Sequence, residues 1–332
     1  MDSLRKVEED LRGLTFEFKK KYPEVLDAAE RALATLKTMR EMYVADKMSK
    51  RGAEKEDVKI PQSSDILAPY ILACNYVDAN PKLLLMALNG IQILVAYEVI
   101  PLGDIKNVLR VFTIQATSGK FEIQLKILQI VLQLVTSLST SDVALQYLTE
   151  STVNSFLGLT MGMCGPDSSM SVTSTALATT RQIITIVMDA LNRAPSSSSS
   201  SLSTSALSLV KDLLLYIKGG AGEWVRGLQV PQNAAFDLLD YVMTGWKDIF
   251  VDVPVFRCLL KDAIFPVLKP LLRDLRDDFT QILVKDGLDA ASAFSTRVVR
   301  FSRFYLLHFA VLGDIDEIDI IITFMIHTLT SD

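Results

Sequence analysis

The chain has 332 residues, 49% hydrophobic and 22% charged, with a formal net charge of −5. This length exceeds what one core usually covers, and the acidic balance argues against a dedicated nucleic-acid binder, which needs surplus Lys and Arg to displace counterions. No continuous apolar run reaches the roughly 18–20 residues of a membrane span, and the start, MDSLRKVEED, is charged, unlike a secretory signal.

The first two predicted helices organise the rest of the chain. Leu4, Val7, Leu11, Leu14 and Phe18 recur at spacings of three and four, placing them on one helical stripe. Pro23 fits the first turn of a new helix but not the interior of the old one. The second helix then presents Val25, Ala29, Ala32, Leu33, Leu36 and Met39 on one face. Two helices that are each apolar on one side form a hairpin that needs further pairs stacked on it.

Residues 45–62 are polar, charged and proline-terminated, which predicts a mobile connection. Ser63 or Ser64 is expected to cap a helix through Ile66, Tyr70, Ala73 and Val77, with Pro69 near enough to its start to be tolerated or to bend it. Asn80-Pro81 is a strong start signal for a buried helix carrying Leu84, Leu85, Leu88, Ile91 and Val95 inward and stopping before Pro101. Further helices are predicted from about Leu102 to Ala116 and from Phe121 to Leu138, the latter with Leu125, Leu128, Leu132 and Val135 inward. Another opens at Ser141-Asp142 and reaches Gly158. The Gly162, Gly165 and Pro166 cluster then ends the signal, and a long helix spans Val172 to Asn192.

Pro195 and the six serines Ser196–Ser201 mark the clearest boundary, since serines bury little and lose much entropy when ordered. The expected organisation is therefore a helical-repeat domain over 1–195, a flexible linker over 196–204 open to phosphorylation, and a second helical block over 205–332. The second block begins near Thr204 with a helix through Leu207, Val210, Leu214 and Ile217 that Gly219-Gly220 closes. Helices follow over Asn233–Phe250, Pro254–Leu275 with bends at Pro266 and Pro270, Leu288–Leu312 and Ile315–Leu329. The last helix stops at the end of the chain without its pair, so a longer protein is expected. About a dozen helices and no strands give an all-α class, an α-solenoid of the armadillo or HEAT kind.

The stretch Leu11–Leu36, with its LR.L..E.KKK.PEV..AAE core, resembles the N-terminal dimerisation and cyclophilin-binding (DCB) region of the large Arf guanine-nucleotide exchange factors, the BIG and Sec-seven group. Within it the pattern is most similar to the Mon-two, or Ysl-two, relatives, which lack an exchange domain. Ala178–Leu191 resembles the helix that ends that region, and Phe236–Thr330 is similar in layout to the start of the next one, homology upstream of the exchange domain (HUS). The asparagine-tyrosine-aspartate-cysteine box of that second domain is absent, for Asn75-Tyr76-Val77-Asp78 is not it. The resemblance implies a cytosolic scaffold peripheral to trans-Golgi and endosome membranes. Its implied partners are an Arl- or Arf-type small GTPase, a Dopey-family scaffold and, through that scaffold, a phospholipid flippase; self-association is implied as well. No nucleotide exchange, no cofactor and no nucleic-acid partner are expected. A HEAT adaptor for cargo peptides and the regulatory region of an active exchange factor are the alternatives.

Lys19, Lys20 and Lys21 form the sharpest basic cluster, joined by Lys47, Lys50 and Arg51. They suit either a solvated helix end or anionic headgroups, each lysine contributing ~1 kcal/mol beside a charged leaflet. Arg181 and Gln182 lie in an otherwise uncharged apolar helix, so they serve a buried polar contact or a GTPase-binding surface. Trp224, in a glycine-rich loop, is either an interface anchor or tucked beneath its own loop. Asp274, Asp277 and Asp278, and the group Asp314, Asp316, Glu317 and Asp319, mimic metal spacing. The first set, however, is interleaved with Arg273 and Arg276, and the second suits a helix N-terminus. His308 and His327 lack ligand partners at helical spacing, and Cys74, Cys164 and Cys258 form no CxxC pair and suit a reducing compartment as buried small hydrophobes.

Overall fold

A computed structural model describes residues 2–18, 22–49, 61–76, 80–117, 120–140, 145–165, 168–193 and 199–267, together with Tyr305, Phe309 and Ile322. The described residues are helical without a strand, the all-α class of stacked helical repeats. The chain divides into two compact units, 1–187 and 188–332.

In the first unit the helices are α1 (Asp2–Phe18), α2 (Pro23–Ser49), α3 (Ser64–Asn75), α4 (Pro81–Ala96), α5 (Ile105–Ala116), α6 (Phe121–Ser139) and α7 (Glu150–Gly162), followed by α8 (Met170–Arg193), which carries the chain across the division. A short 3₁₀ turn, Leu102–Asp104, leads into α5. Helices α1, α4 and α6 pack side by side in one layer and α2, α3, α5 and α7 in another, with α1 on α2, α3 on α4 and α5 on α6 across the layers. This is the pairwise stacking that one-sided apolar helices require. The α1 stripe of Leu4, Val7, Leu11 and Leu14 is buried, as are Val25, Ala29, Ala32 and Leu36 of α2. Leu33 and Met39 are half-exposed, and the small Ala28 takes an inner position.

The second unit contains α9 (Ser199–Ile217), α10 (Gln232–Gly245), α11 (Lys247–Asp252) and α12 (Pro254–Leu259), which runs into a π turn at Leu260–Ile264. Phe250, Phe256, Tyr305 and Phe309 build its aromatic core; Phe250 and Phe256 meet edge-on with centroids 5.4 Å apart.

Several sequence expectations are corrected here. Residues 45–49, expected in a connection, belong to α2, which continues to Ser49. Ser63 occupies the cap position of α3 without making a side-chain bond, while the Ser64 hydroxyl donates to Asp104 Oδ2 at 2.6 Å. The linker expected over 196–204 is helical from Ser199: α9 buries Ala206, Leu209, Val210, Leu213 and Leu214, and this stripe draws a turn of serines into the helix, with Ser205 Oγ bonded to Ser201 O. The helix expected from Ser141 to Gly158 is interrupted: Leu145 is helical, a turn follows at Gln146 and Tyr147, and α7 opens at Glu150, capped by the Thr149 hydroxyl, while residues 141–144 lie outside the described residues. On α6 the inner face is Ile123, Ile127, Ile130, Val131, Leu134 and Leu138 as well as Leu128 and Val135; Leu125 is only partly covered and Leu132 faces outward. The polar residues Glu122, Lys126, Gln129, Gln133 and Thr136 recur at helical spacing and mark the outer face, beside which Leu132 lies.

By length and composition Phe121–Ser139 can cross a membrane. Its inner face packs against α4 and α5, as in a core helix, and its Lys126 Nζ donates to Gln92 Oε1 of α4 while burial lowers the lysine pKa. The single helix expected over Asn233–Phe250 breaks at Trp246, which leaves helical geometry and donates Nε1–H to Asp189 Oδ1 at 2.8 Å. Ahead of Pro266 the helix widens into the π turn, a register that accommodates the missing proline N–H; Pro270 lies outside the described residues. Cys74 and Cys164 are buried, with burial pushing each thiol up to about 12, but Cys258 is exposed.

Candidate interaction surfaces

Lys19, Lys20, Lys21, Lys50 and Arg51 lie outside the described residues. The backbone of Lys47 belongs to α2, and its side chain is likewise outside them. So are Asp274, Asp277, Asp278, Asp314, Asp316, Glu317, Asp319, His308 and His327; among the described residues no cluster of His, Cys, Asp or Glu fits a metal. Phe16, on the last turn of α1, is 81% exposed. Arg181 and Gln182 sit side by side on α8, both partly covered, in the first unit.

Trp224 belongs to the second unit and to a loop that is rigidly built rather than loose. Its organiser is Asp212 of α9, 1% exposed, whose carboxylate accepts from the backbone N–H groups of Glu223 (2.9 Å), Trp224 (3.1 Å) and Val225 (2.6 Å). One turn on, Tyr216 donates its hydroxyl to Val225 O at 2.8 Å, and burial followed by the Asp212 charge pushes the phenol up to about 12. Helix α9 itself ends in a Schellman motif: Gly220 N–H reaches Leu215 O, Gly219 N–H reaches Tyr216 O, and Gly219 takes φ 77°. The loop therefore holds Trp224 half-exposed by its main chain.

The same motif closes α4, but with a different residue. Val99 N–H bonds Leu94 O (2.9 Å), Glu98 N–H bonds Val95 O (3.1 Å), and Glu98 takes φ 56°, a left-handed position where glycine is the unstrained choice. Glu98 stands at the mouth of a cleft of about 250 Å³, open on one side and walled by Val95, Ile100, Leu102, Ile105, Leu134 and Leu138, with Gln62, Ser137 and Thr140 at the rim. Sequence reading missed this site because its walls come from positions far apart in the chain and nothing in the residue types marks Glu98. Replacing Glu98→Gly is expected to raise stability by about 0.5–1 kcal/mol, read as a higher urea midpoint at unchanged slope.

Between α1 and α3, Tyr70 donates its hydroxyl to Asp10 Oδ2 at 2.6 Å. Burial raises the Asp10 carboxyl above the ordinary value despite the opposing Tyr70 bond, and burial followed by the Asp10 charge raises the phenol. The folded state thus takes up the Asp10 proton at a higher pH than the unfolded chain does. At this site stability rises as pH falls through the folded value and levels off below the unfolded one. Asp10→Asn keeps an acceptor for Tyr70 and removes the charge, so it is expected to match or exceed wild-type stability at neutral pH and to flatten this acid-side gain. Denaturation midpoints between about pH 4 and 7 check both.

The fold defines an all-α helical-repeat protein. Its family emerges from comparison with known sequences. The DCB family, described as the Mon2/Sec7/BIG1-like dimerisation and cyclophilin-binding domain, matches residues 1–193, and the chain belongs to that family. The chain is also 26% identical over 288 residues to the Protein MON2 homolog of Homo sapiens, covering 80% of this chain and 16% of the human protein. The homolog of Xenopus laevis is 26% identical over 287 residues, with the same coverage. That of Drosophila melanogaster is 24% identical over 281 residues, covering 77% of this chain and 15% of the fly protein. The chain spans about one sixth of the length of these relatives.

Proposed function

We propose that this chain is a non-enzymatic scaffold region acting in Golgi and endosome trafficking, peripheral to the cytoplasmic face of those membranes. It recruits an Arl- or Arf-type small GTPase and a Dopey-family scaffold, with a phospholipid flippase engaged through the latter, and it associates with itself. The observation that carries this reading is membership of a family described by dimerisation and protein binding, over the whole of residues 1–193. The helical pairs of the first unit, packed one on the next, support it. On this reading the second unit opens the HUS-like region.

Anionic lipid enters as a further contact of the opening hairpin. Lys19, Lys20 and Lys21 directly follow a helix whose last turn exposes Phe16, and an aromatic beside several lysines suits the headgroup layer. Flotation with liposomes of rising anionic lipid content tests this. Wild type is expected to float in proportion to negative charge and to release with salt, and the combined Lys19→Glu, Lys20→Glu, Lys21→Glu variant to stay at the bottom. Wild type that remains unbound at low salt overturns the lipid contact and leaves recruitment to protein partners.

A further inference from the structure

Exposed helix surface in the first unit is mostly dense in ions: α1 shows Arg5, Lys6, Glu9, Arg12 and Glu17, and α2 shows Glu24, Asp27, Glu30, Arg31 and Lys37. The outer face shared by α4 and α6 differs. Residues 83–97 and 127–140 contain no Asp, Glu, Lys or Arg. What faces out there is amide and aliphatic: Asn89, Gln129 and Leu132 are exposed, and Ile93 and Gln133 are partly so. Lys126 is the ion between these stretches, and its Nζ donates to Gln92 Oε1, which joins the outer rows of the two helices into one surface. Loss of charge with retention of hydrogen-bonding and apolar groups marks the core of a protein interface rather than an ordinary solvated face.

The same chemistry selects the occupant. Hydrocarbon would strip water from Asn89, Gln92, Gln129 and Gln133 and return no hydrogen bond, which tells against a lipid surface. A strongly charged partner would find no counter-charge. In a two-fold pair, each residue near the axis faces its own copy, so a charged patch repels itself. An amide carries both donor and acceptor and can pair with another amide, and an aliphatic side chain packs on its like. The face is therefore complementary to itself. Two helices of 16 and 19 residues present a face about 25 Å long and about 20 Å wide. That area lies at the small end for specific interfaces, so the pair is expected to associate in the micromolar range.

We infer that the outer face of α4 and α6 is the surface through which two copies of this chain associate. The inference rests on the self-association proposed above and names its surface. The test is sedimentation velocity of the full chain from about 1 to 100 μM. Wild type is expected to pass from monomer to dimer across that range. Asn89→Glu with Gln129→Glu is expected to weaken the dimer at least tenfold, and Asn89→Lys with Gln129→Lys to do the same; both positions are exposed. A mixture of the two variants is expected to regain the dimer, which misfolded protein could not do. Ala34→Glu with Thr38→Glu, on the exposed side of α2, is expected to leave it unchanged. Wild type that stays monomeric throughout overturns self-association and this inference with it. A wild-type dimer that the α4–α6 variants do not weaken, or that the α2 variant weakens equally, overturns the inference alone and leaves self-association to another surface.

Discussion

Gly90→Ala is expected to destabilise the first unit severely, by about 3 kcal/mol or more, the upper range of overpacking. Gly90 lies on the inner face of α4, and a Cβ built there falls 2.6 Å from Tyr70 Cζ and closer still to Cε1. Tyr70 has nowhere to go. Its ring is fully buried, and its hydroxyl is tied to Asp10 of α1, so any movement that relieves the clash also breaks the bond joining α1 to α3. A methyl group in α4 thereby disturbs three helices. Urea unfolding followed by circular dichroism gives the loss directly. Combining Gly90→Ala with Tyr70→Leu, which shortens the ring, is expected to recover part of it; additive losses would show that the two positions do not meet.

Asp212→Ala is expected to cost about 3 kcal/mol and to unpin the loop that presents Trp224. The carboxylate is the shared acceptor for three consecutive N–H groups, and removing it leaves them in a partly dry site at about 1–3 kcal/mol for each one left buried. Asp212→Asn retains one acceptor oxygen and is expected to lose less. Gly222→Ala is expected to act in the same direction, because its Cβ falls 2.8 Å from both Asp212 Oδ2 and Tyr216 Cζ. Trp224 emission reports the loop: Asp212→Ala is expected to shift it to the red and raise its quenching by iodide, changes that a uniform loss of stability does not produce in the native state. Comparison against Trp246→Phe isolates that signal from the only other tryptophan.

The helical class and the first hairpin were legible because strictly one-sided helices admit one way to be buried. Leu4, Val7, Leu11 and Leu14 are inside for that reason, and Asn80-Pro81 starts α4 as its chemistry dictates, with the Asn80 side chain accepting from Lys82 N–H. On α6 the leucines chosen as the inner face included Leu132, which lies beside the polar stripe of Glu122, Lys126, Gln129, Gln133 and Thr136 and turned outward, while the buried stripe runs through Ile123, Ile127, Ile130, Leu134 and Leu138. The serine run misled because local propensity favours coil, whereas the stripe that follows it extends the helix backward. α10 ends at Gly245, and Trp246, outside helical geometry, bonds Asp189, 57 positions away, a contact that no local pattern encodes. The surfaces were less legible than the fold. Runs of lysine and a lone tryptophan catch the eye, whereas the Glu98 cleft is assembled from Gln62 to Thr140 and exists only once α4, α5 and α6 are stacked.

The central claim is recruitment of a small GTPase by this helical-repeat region, and the most direct measurement is calorimetric titration of the full chain with an Arl-type GTPase loaded with a non-hydrolysable GTP analogue or with GDP. Saturable binding of the GTP form, with the GDP form at least tenfold weaker and nucleotide release from the GTPase unaccelerated, is the predicted result. Equal affinity for both forms, no binding to either, or accelerated nucleotide release would contradict it.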